Sequence, residues 1–181
     1  MDEQAKAILL DIARKSVEAA VKHEPIPQCV SKHPHLQGRQ GVFVTLRTYG
    51  QLRGCIGRFV SDIPLYQLVS EMTVSSVMDD SRFEFNRIKP AELPDVEIKL
   101  SVLSPLTRIQ DPLDFELGKH GIFLQKGLHT GCFLPQVATE TGWDKEEFLS
   151  HCCESKAGLP RDAWKGKDIE IYIFTAEFIG K

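Results

Sequence analysis

The sequence predicts a compact α+β fold, and two observations carry that prediction. Helix-like and strand-like segments mix along the 181 residues without the strict strand–helix–strand alternation of a parallel sheet. Several strand-like runs follow one another across glycine-containing turns, which is typical of β-hairpins. The length suits a single domain over residues 1–181, either one globule or two lobes that share one core.

Three segments have the spacing and end signals of helices. Apolar residues recur at helical intervals over residues 2–23, where Asp2 is available as the N-cap. A second helix is expected over residues 61–79, because a Ser-Asp pair and a proline mark its start. A third is expected over residues 144–156, with Asp144 as its N-cap and Gly158 closing its C-terminal end.

Strand-like runs make up much of the remaining chain, because they are rich in β-branched and aromatic residues or alternate apolar with polar side chains. They cover residues 41–48, 51–59, 95–104, 121–126, 132–137 and 168–178. Tyr49-Gly50 is expected to form the turn of a first hairpin, and residues 127–131 that of a second.

Composition excludes some classes of function. The net charge of -3, with scattered Lys and Arg, gives no overall basic field, which argues against a nucleic-acid partner. The longest apolar runs are far shorter than the roughly 20 residues of a membrane-spanning helix, so no membrane segment is expected. Five cysteines, an odd number, indicate reduced thiols and a cytoplasmic location.

The hexapeptide Leu-Arg-Gly-Cys-Ile-Gly, Leu52 to Gly57, lies on the second predicted strand. Glycine weakens a strand, so Gly54 and Gly57 indicate a close backbone approach, a bulge or a positive φ. A peptide bent by glycines can point successive N–H groups at an anion, and Arg53 would add positive charge. The sequence therefore predicts that these residues bind a small anionic ligand.

Cys55 lies between the two glycines, and its role has two interpretations. A cysteine reacts as the thiolate, which a nearby arginine stabilises, and a regular strand would put Arg53 and Cys55 on one face. The alternative is a small buried cysteine packed at a glycine-kinked bend. Gly54 to Gly57 also matches the Gly-x-x-Gly loop of some RNA-binding modules, but here strands flank it and its centre has no basic residue.

The hexapeptide, together with several short motifs that follow it in the order typical of the family, resembles the AMMECR domain family. These motifs are Asp80-Ser-Arg82-Phe83, Lys119-His-Gly121-Ile, Leu134-Pro-Gln-Val-Ala138, Gly142-Trp-Asp144, Phe148-Leu149, Lys156-Ala-Gly-Leu159 and Ala163-Trp164. The resemblance covers nearly the whole chain and implies a two-lobed fold of mostly antiparallel sheet flanked by helices. It implies no settled biochemical activity. In prokaryotes the family is similar to one component of a three-protein set, so the expected partners are a Memo-type protein and a radical S-adenosylmethionine enzyme.

Four further residues are candidates for the site around Cys55. His120 is the first choice for a base that serves Cys55, ahead of the other histidines of that half of the chain. It lies within one of the motifs that resemble the family, and it precedes a glycine. Asp80 and Arg82 are expected to cap the preceding helix, to pair with one another, or to line the same pocket. Gln136 is a candidate ligand-binding amide through the resemblance alone.

Cys29, His33 and His35 provide three ligand-type side chains in the long loop over residues 24–40, which would make half of a metal site. The second half is not visible, and no established metal-binding spacing occurs, so a solvated loop is favoured. The sequence predicts no metal and no cofactor.

Two functional hypotheses result. In the first, Cys55 and Arg53 line a cleft between lobes, and the thiolate acts as nucleophile, redox group or ligand towards a small anion in a pathway associated with a radical enzyme. In the second, the hexapeptide is a rigid bend or docking edge of a non-catalytic adaptor that binds a partner protein. Whether the protein is an enzyme is left open, and nucleic-acid binding is a distant third hypothesis.

Overall fold

The computed structural model describes residues 1–180 and confirms the α+β class. Its helices are α1 (Glu3–Lys22), α2 (Leu65–Met78), α3 (Pro135–Thr141) and α4 (Lys145–Cys152). Its strands are β1 (Gln40–Thr48), β2 (Gln51–Val60), β3 (Val96–Leu103), β4 (Thr107–Ile109), β5 (Gly121–Lys126), β6 (His129–Phe133), β7 (Glu170–Phe174) and β8 (Ala176–Gly180). Within these 180 residues, no helix has the length and apolar character needed to cross a bilayer.

The chain divides into two units. The first contains residues 1–103 and 177–180, with a four-stranded sheet in the order β2-β1-β3-β8, in which β1 pairs antiparallel with β2 and β3. The face of β1 that carries Val42, Val44 and Leu46 is fully buried and contributes to one hydrophobic cluster with α1 and α2. We call this the inner face of the first sheet.

The second unit contains residues 104–176, with a four-stranded sheet in the order β4-β7-β5-β6. Its own hydrophobic cluster is built around Phe148, Ile122 and Trp164, and it includes residues of α3 and α4. That the two units form one domain stays a prediction.

The ends of α1 and α4 follow the expected local chemistry, whereas α2 begins at Leu65 without a side-chain cap, after the expected start at residue 61. Asp2 is the N-cap of α1, and its side chain accepts a hydrogen bond from the N–H of Ala5. Asp144 caps α4 in a reciprocal capping box with Glu147, and a π-helical turn then runs to Gly158, which ends it at a φ of 64°. The first hairpin is also confirmed, because Tyr49 and Gly50 both have positive φ and join β1 to β2.

The second hairpin differs from the expectation. The turn is only Gly127-Leu128, so the predicted turn residues 129–131 belong to β6, which ends at Phe133 instead of residue 137. Gly127 has a φ of 58°, which allows the tight two-residue turn. Pro135 then begins α3, since a proline at the first helical position loses no intrahelical hydrogen bond.

The C-terminal strand predicted over residues 168–178 is two strands in two different sheets. β7 pairs with β4 and β5 in the second sheet, and β8 is the neighbour of β3 in the first. Between them, the N–H of Ser104 donates to the carbonyl of Thr175, and the N–H of Thr175 donates to Oγ of Ser104, both at 2.9 Å. These bonds occupy the backbone at the point where the chain changes sheet.

Candidate functional site

The two glycines of the hexapeptide lie where other groups approach the backbone of β2 most closely. A Cβ on Gly54 would overlap the carbonyl oxygen of Ser76 in the last turns of α2. A Cβ on Gly57 would overlap the ring of Phe43 and the carbonyl oxygen of Val42 on β1. Both glycines therefore have a packing role, in agreement with the expected close approach. Their role in ligand binding stays a prediction.

β2 is an edge strand, and side chains from α2 and the turn after it occupy the polar groups at this edge. The N–H of Cys55 donates to Oδ2 of Asp80 at 2.9 Å, and the N–H of Ile56 donates to Oγ of Ser76 at 3.0 Å. Nη2 of Arg82 donates to the carbonyl of Cys55 at 3.1 Å. The successive N–H groups that were expected to face an anion are thus donors within the chain.

Asp80 and Arg82 form an ion pair beside Cys55. Nη2 and Nε of Arg82 donate to the two oxygens of Asp80 at 2.7 and 2.9 Å. These hydrogen bonds lower the pKa of the Asp80 carboxyl, and they raise the pKa of Arg82. Asp80 is only 4% exposed, whereas the Arg82 side chain is 58% exposed. The carboxylate is therefore a buried anchor, and the guanidinium is open to solvent.

Arg53 is held by the interior of the first unit. Its guanidinium donates to Oγ1 of Thr48 at 2.6 Å, to the carboxylate of Glu92, and to the carbonyl oxygens of Asn86 and Arg87. Its side chain is 7% exposed, so the charge is neutralised and enclosed. These contacts give Arg53 a structural role, and its action on a ligand stays a prediction.

A β-bulge separates Arg53 from Cys55, so the assumption of a regular strand is wrong at this point. The pairing shifts between Leu46, opposite Gly54, and Arg47, opposite Leu52, which leaves Arg53 without its own partner on β1. Cys55 consequently pairs with Thr45, whereas Arg53 bonds to Thr48, a residue of the inner face. The bulge therefore puts the two side chains on opposite faces of the sheet.

The thiol of Cys55 lies on the outer face of the first sheet, opposite the inner face. It is half-buried, and its Sγ is 3.2 Å from Oγ1 of Thr45, so the two groups share a hydrogen bond. Thr45 pairs in turn with Lys99 on β3, whose ammonium lies 4.6 Å from the ring centroid of Phe178. The sequence analysis missed Thr45, because only the bulged register brings it opposite Cys55.

The remaining candidates lie in the second unit. Nδ1 of His120 accepts a hydrogen bond from the N–H of Glu116 at 3.0 Å. Gln136 is in the first turn of α3, and its Oε1 is buried without a hydrogen-bond partner among residues 1–180. The structure brings Cys55, Asp80 and Arg82 together in the first unit. The proposed roles of His120 and Gln136 at that site stay predictions.

The fold and the site define a two-unit α+β protein with a cysteine on the bulged edge strand of its first sheet. The family model for AMMECR1 matches residues 10–179, and the chain belongs to this family.

Proteins of several archaea are similar to this chain. Protein MK0488 of Methanopyrus kandleri is 40% identical over 93% of this chain and 84% of its own length. A protein of Thermococcus onnurineus is 38% identical over 93% of this chain and 86% of its own. The crystal structure of protein PH0010 from Pyrococcus horikoshii matches with a TM-score of 0.87 and 36% identity, covering 98% of this chain and 92% of that one.

Proposed function

We propose that Cys55 and Arg82 form a thiol–guanidinium site in the first unit, which binds a small anionic ligand and presents it to the thiol. One observation carries the proposal: the solvent-exposed guanidinium of Arg82 is fixed by buried Asp80 and donates to the carbonyl of Cys55 itself. A cation is therefore held beside a cysteine that is only half-buried. In this form of the hypothesis, Arg82 takes the place of Arg53 as the anion-binding arginine.

The chemistry of the guanidinium suits this role. Asp80 and Cys55 accept hydrogen bonds from Nε and Nη2 of Arg82, and the side chain remains 58% exposed, so a ligand can reach the guanidinium. A planar guanidinium binds carboxylate and phosphate groups through paired N–H donors. The thiolate of Cys55 would then act as nucleophile, redox group or ligand towards the bound anion.

The rates at which Cys55 reacts with iodoacetate and with iodoacetamide test this proposal, because the two reagents differ mainly in charge. If Arg82 attracts the anionic reagent, Arg82→Gln lowers the rate constant for iodoacetate, divided by that for iodoacetamide, by about five-fold. This change corresponds to about 1 kcal/mol between solvated charges. Arg58→Gln is the matched control, because Arg58 also lies on β2 but pairs with Glu71. A thiol that is inert in the folded protein, or a ratio that Arg82→Gln leaves unchanged, would contradict the proposal.

A specific observation also favours the second candidate function, a docking role. Phe85, three residues after Arg82, is 99% exposed, and a fully exposed aromatic ring is a common anchor of protein interfaces. The partner expected from the family resemblance is a Memo-type protein or a radical S-adenosylmethionine enzyme. In a binding assay with these two proteins, an adaptor loses affinity on Phe85→Ser and keeps it on Cys55→Ala. If the function is thiol-based, Cys55→Ala lowers the amount of the pathway's product, and Phe85→Ser leaves it unchanged.

We also propose a cytoplasmic location. It is supported by the five cysteines, none of which forms a disulfide within the described part of the chain. Fractionation of cells that express a tagged chain tests this, and recovery of the protein outside the cytoplasm would contradict it.

A further inference from the structure

One carboxylate and two imidazoles converge where the start of α1 meets the loop before β1. Nε2 of His33 is 3.4 Å from Oδ1 of Asp2, and Nδ1 of His35 is 3.1 Å from Oδ2 of the same carboxylate. Ligand atoms of the three residues all lie within 4.8 Å of one another. We propose that Asp2, His33 and His35 bind a divalent transition-metal ion of the zinc type, which ties the start of α1 to this loop.

The separations fit the size of such an ion. Zinc binds imidazole nitrogen and carboxylate oxygen at about 2.0–2.2 Å, so neighbouring ligand atoms of a tetrahedral site lie about 3.3 Å apart. The two nitrogen–oxygen separations of 3.4 and 3.1 Å lie on either side of that value. The side chains of Asp2 and His35 are about half exposed, so water can take the fourth position.

Local structure holds the three ligands in place. Asp2 is the N-cap of α1, and the N–H of Ala5 donates to its Oδ1 at 2.8 Å, which leaves the remaining lone pairs of the carboxylate for a cation. On the other side, Pro34 separates the two histidines and favours the extended conformation observed for His33, with a ψ of 126°. Fully buried Leu36 anchors the short 3₁₀ turn that carries His35.

Nδ1 of His35 faces the carboxylate of Asp2. It is 3.1 Å from Oδ2 of that carboxylate, a separation that either a proton on Nδ1 or a metal ion would bridge. The backbone N–H of Asp2 lies farther from the same nitrogen, at 3.4 Å. The ring of His33 lies close by, with its centroid 5.5 Å away. A divalent ion between the three groups would replace the bridging proton and take the Nδ1 lone pair and the carboxylate oxygens as ligands.

The second ring nitrogen of His33 indicates how tight the binding is. Nδ1 of His33 is buried and has no hydrogen-bond partner among the described residues. Metal-binding histidines usually donate this second N–H to an oxygen, and loss of that support weakens binding by about 10- to 100-fold. We therefore expect an affinity below that of a closed structural zinc site.

Cys29 is not part of this cluster. Its thiol donates to the carbonyl of Pro27 at 3.5 Å, and the cluster consists of Asp2 and the two histidines only. The ligand missing from the loop is therefore the N-cap of α1, far away in the sequence. This difference supplies the control for the experiment.

Titration of the purified chain with Co²⁺ tests the proposal, because Co²⁺ in a zinc-type site absorbs visible light and Zn²⁺ displaces it. We expect one equivalent to bind the unmodified chain, and Asp2→Asn, His33→Ala and His35→Ala each to weaken binding by at least about ten-fold. Asp2→Asn is the most informative variant, because asparagine still caps α1. Cys29→Ser should bind as the unmodified chain does.

A second measurement distinguishes a loss of metal binding from a loss of folding. Zn²⁺ should raise the midpoint of thermal unfolding of the unmodified chain and of Cys29→Ser, but not that of Asp2→Asn, whose far-UV circular dichroism should be unchanged. Absence of saturable Co²⁺ binding, binding that all three cluster variants retain, or binding that is lost in Cys29→Ser would overturn the proposal. If His33→Ala does not fold, the other two variants decide the outcome.

Discussion

The buried carboxylate of Asp80 accepts the backbone N–H of Cys55 at 2.9 Å, and its ion-pair partner Arg82 donates to the carbonyl of the same residue at 3.1 Å. One ion pair therefore satisfies both backbone polar groups of Cys55, as a neighbouring strand would. Edge strands with unpaired backbone groups attract other strands, and this arrangement covers the edge at the position of the cysteine. We make three predictions about the fold around this site and one about the packing of the second unit.

Asp80→Asn should lower the free energy of unfolding by about 1–3 kcal/mol at neutral pH, because the ion pair with Arg82 is lost while an amide oxygen remains to accept the N–H of Cys55. The pKa of Asp80 is lowered in the folded state, so its stabilisation is complete above the unfolded value of about 3.9 and disappears as pH falls through the folded value. The difference between wild type and variant should therefore shrink in acid, as measured by urea unfolding at several pH values.

The exposed neighbour Asp79 provides the control for this measurement. Asp79→Asn removes the same charge one residue earlier and should change the unfolding free energy by less than about 0.5 kcal/mol. If the difference in unfolding free energy between Asp80→Asn and wild type stayed constant down to the lowest pH, the ion pair would not be the source of that difference.

Gly54→Ala should destabilise the protein by about 1–3 kcal/mol or more, because its methyl group would overlap the carbonyl oxygen of Ser76 and α2 would have to move away. Gly38→Ala is the matched control, since the nearest atoms to its methyl group belong to the flexible side chain of Gln40, 3.7 Å away. Chemical denaturation of both variants provides the comparison. Equal stability of the two would refute the close-approach explanation.

Arg53→Lys should lower the free energy of unfolding by about 1.5–3 kcal/mol, because one ammonium group cannot reach all the acceptors that the buried guanidinium contacts. The same change at Arg58, which is half exposed and pairs with Glu71 at 3.6 Å, should have an effect of about 0–1 kcal/mol. Thermal or urea unfolding distinguishes the two. If Arg53→Lys were as mild as Arg58→Lys, Arg53 would not hold the structure together as we describe.

Cys152 and Cys153 should not react with alkylating reagents in the folded protein. Both side chains are fully buried, and burial raises the pKa of each thiol. Their modification, measured by mass spectrometry across a urea series, should follow the unfolded fraction, whereas half-buried Cys55 should react without urea. Rapid labelling of Cys152 or Cys153 in native buffer would contradict the packing of the second unit.

Much of the local structure could be predicted from short-range patterns. Asp2 and Asp144 were expected as caps, Tyr49-Gly50 as a hairpin turn and Gly158 as a helix end, and all four are observed. Each of these features depends on hydrogen bonds or φ values of residues a few positions apart. For the second hairpin, the predicted turn was wrong in length: the structure has the two-residue turn Gly127-Leu128 where a five-residue turn was expected.

The faces of β2 could not be predicted in the same way. Counted regularly from the turn, where Thr48 pairs with Gln51, Cys55 would lie opposite Val44 on the inner face. The bulge shifts the pairing by one residue and places Cys55 opposite Thr45 on the outer face. A single inserted residue leaves no period in the sequence, so the separation of Arg53 from Cys55 is visible only in the structure.

By itself, the sequence determined the presence of α1, α2 and α4, the caps of α1 and α4, the first hairpin and the family, because these follow from neighbours along the chain or from an ordered set of motifs. It did not determine α3, where a strand was expected as far as residue 137. Tertiary structure decided which groups meet: Asp80 and Arg82 on the peptide of Cys55, and Asp2 with the two histidines of the distant loop. It also decided that the chain changes sheet at Thr175. Such contacts depend on how separate elements pack, and no local preference of the residues encodes them.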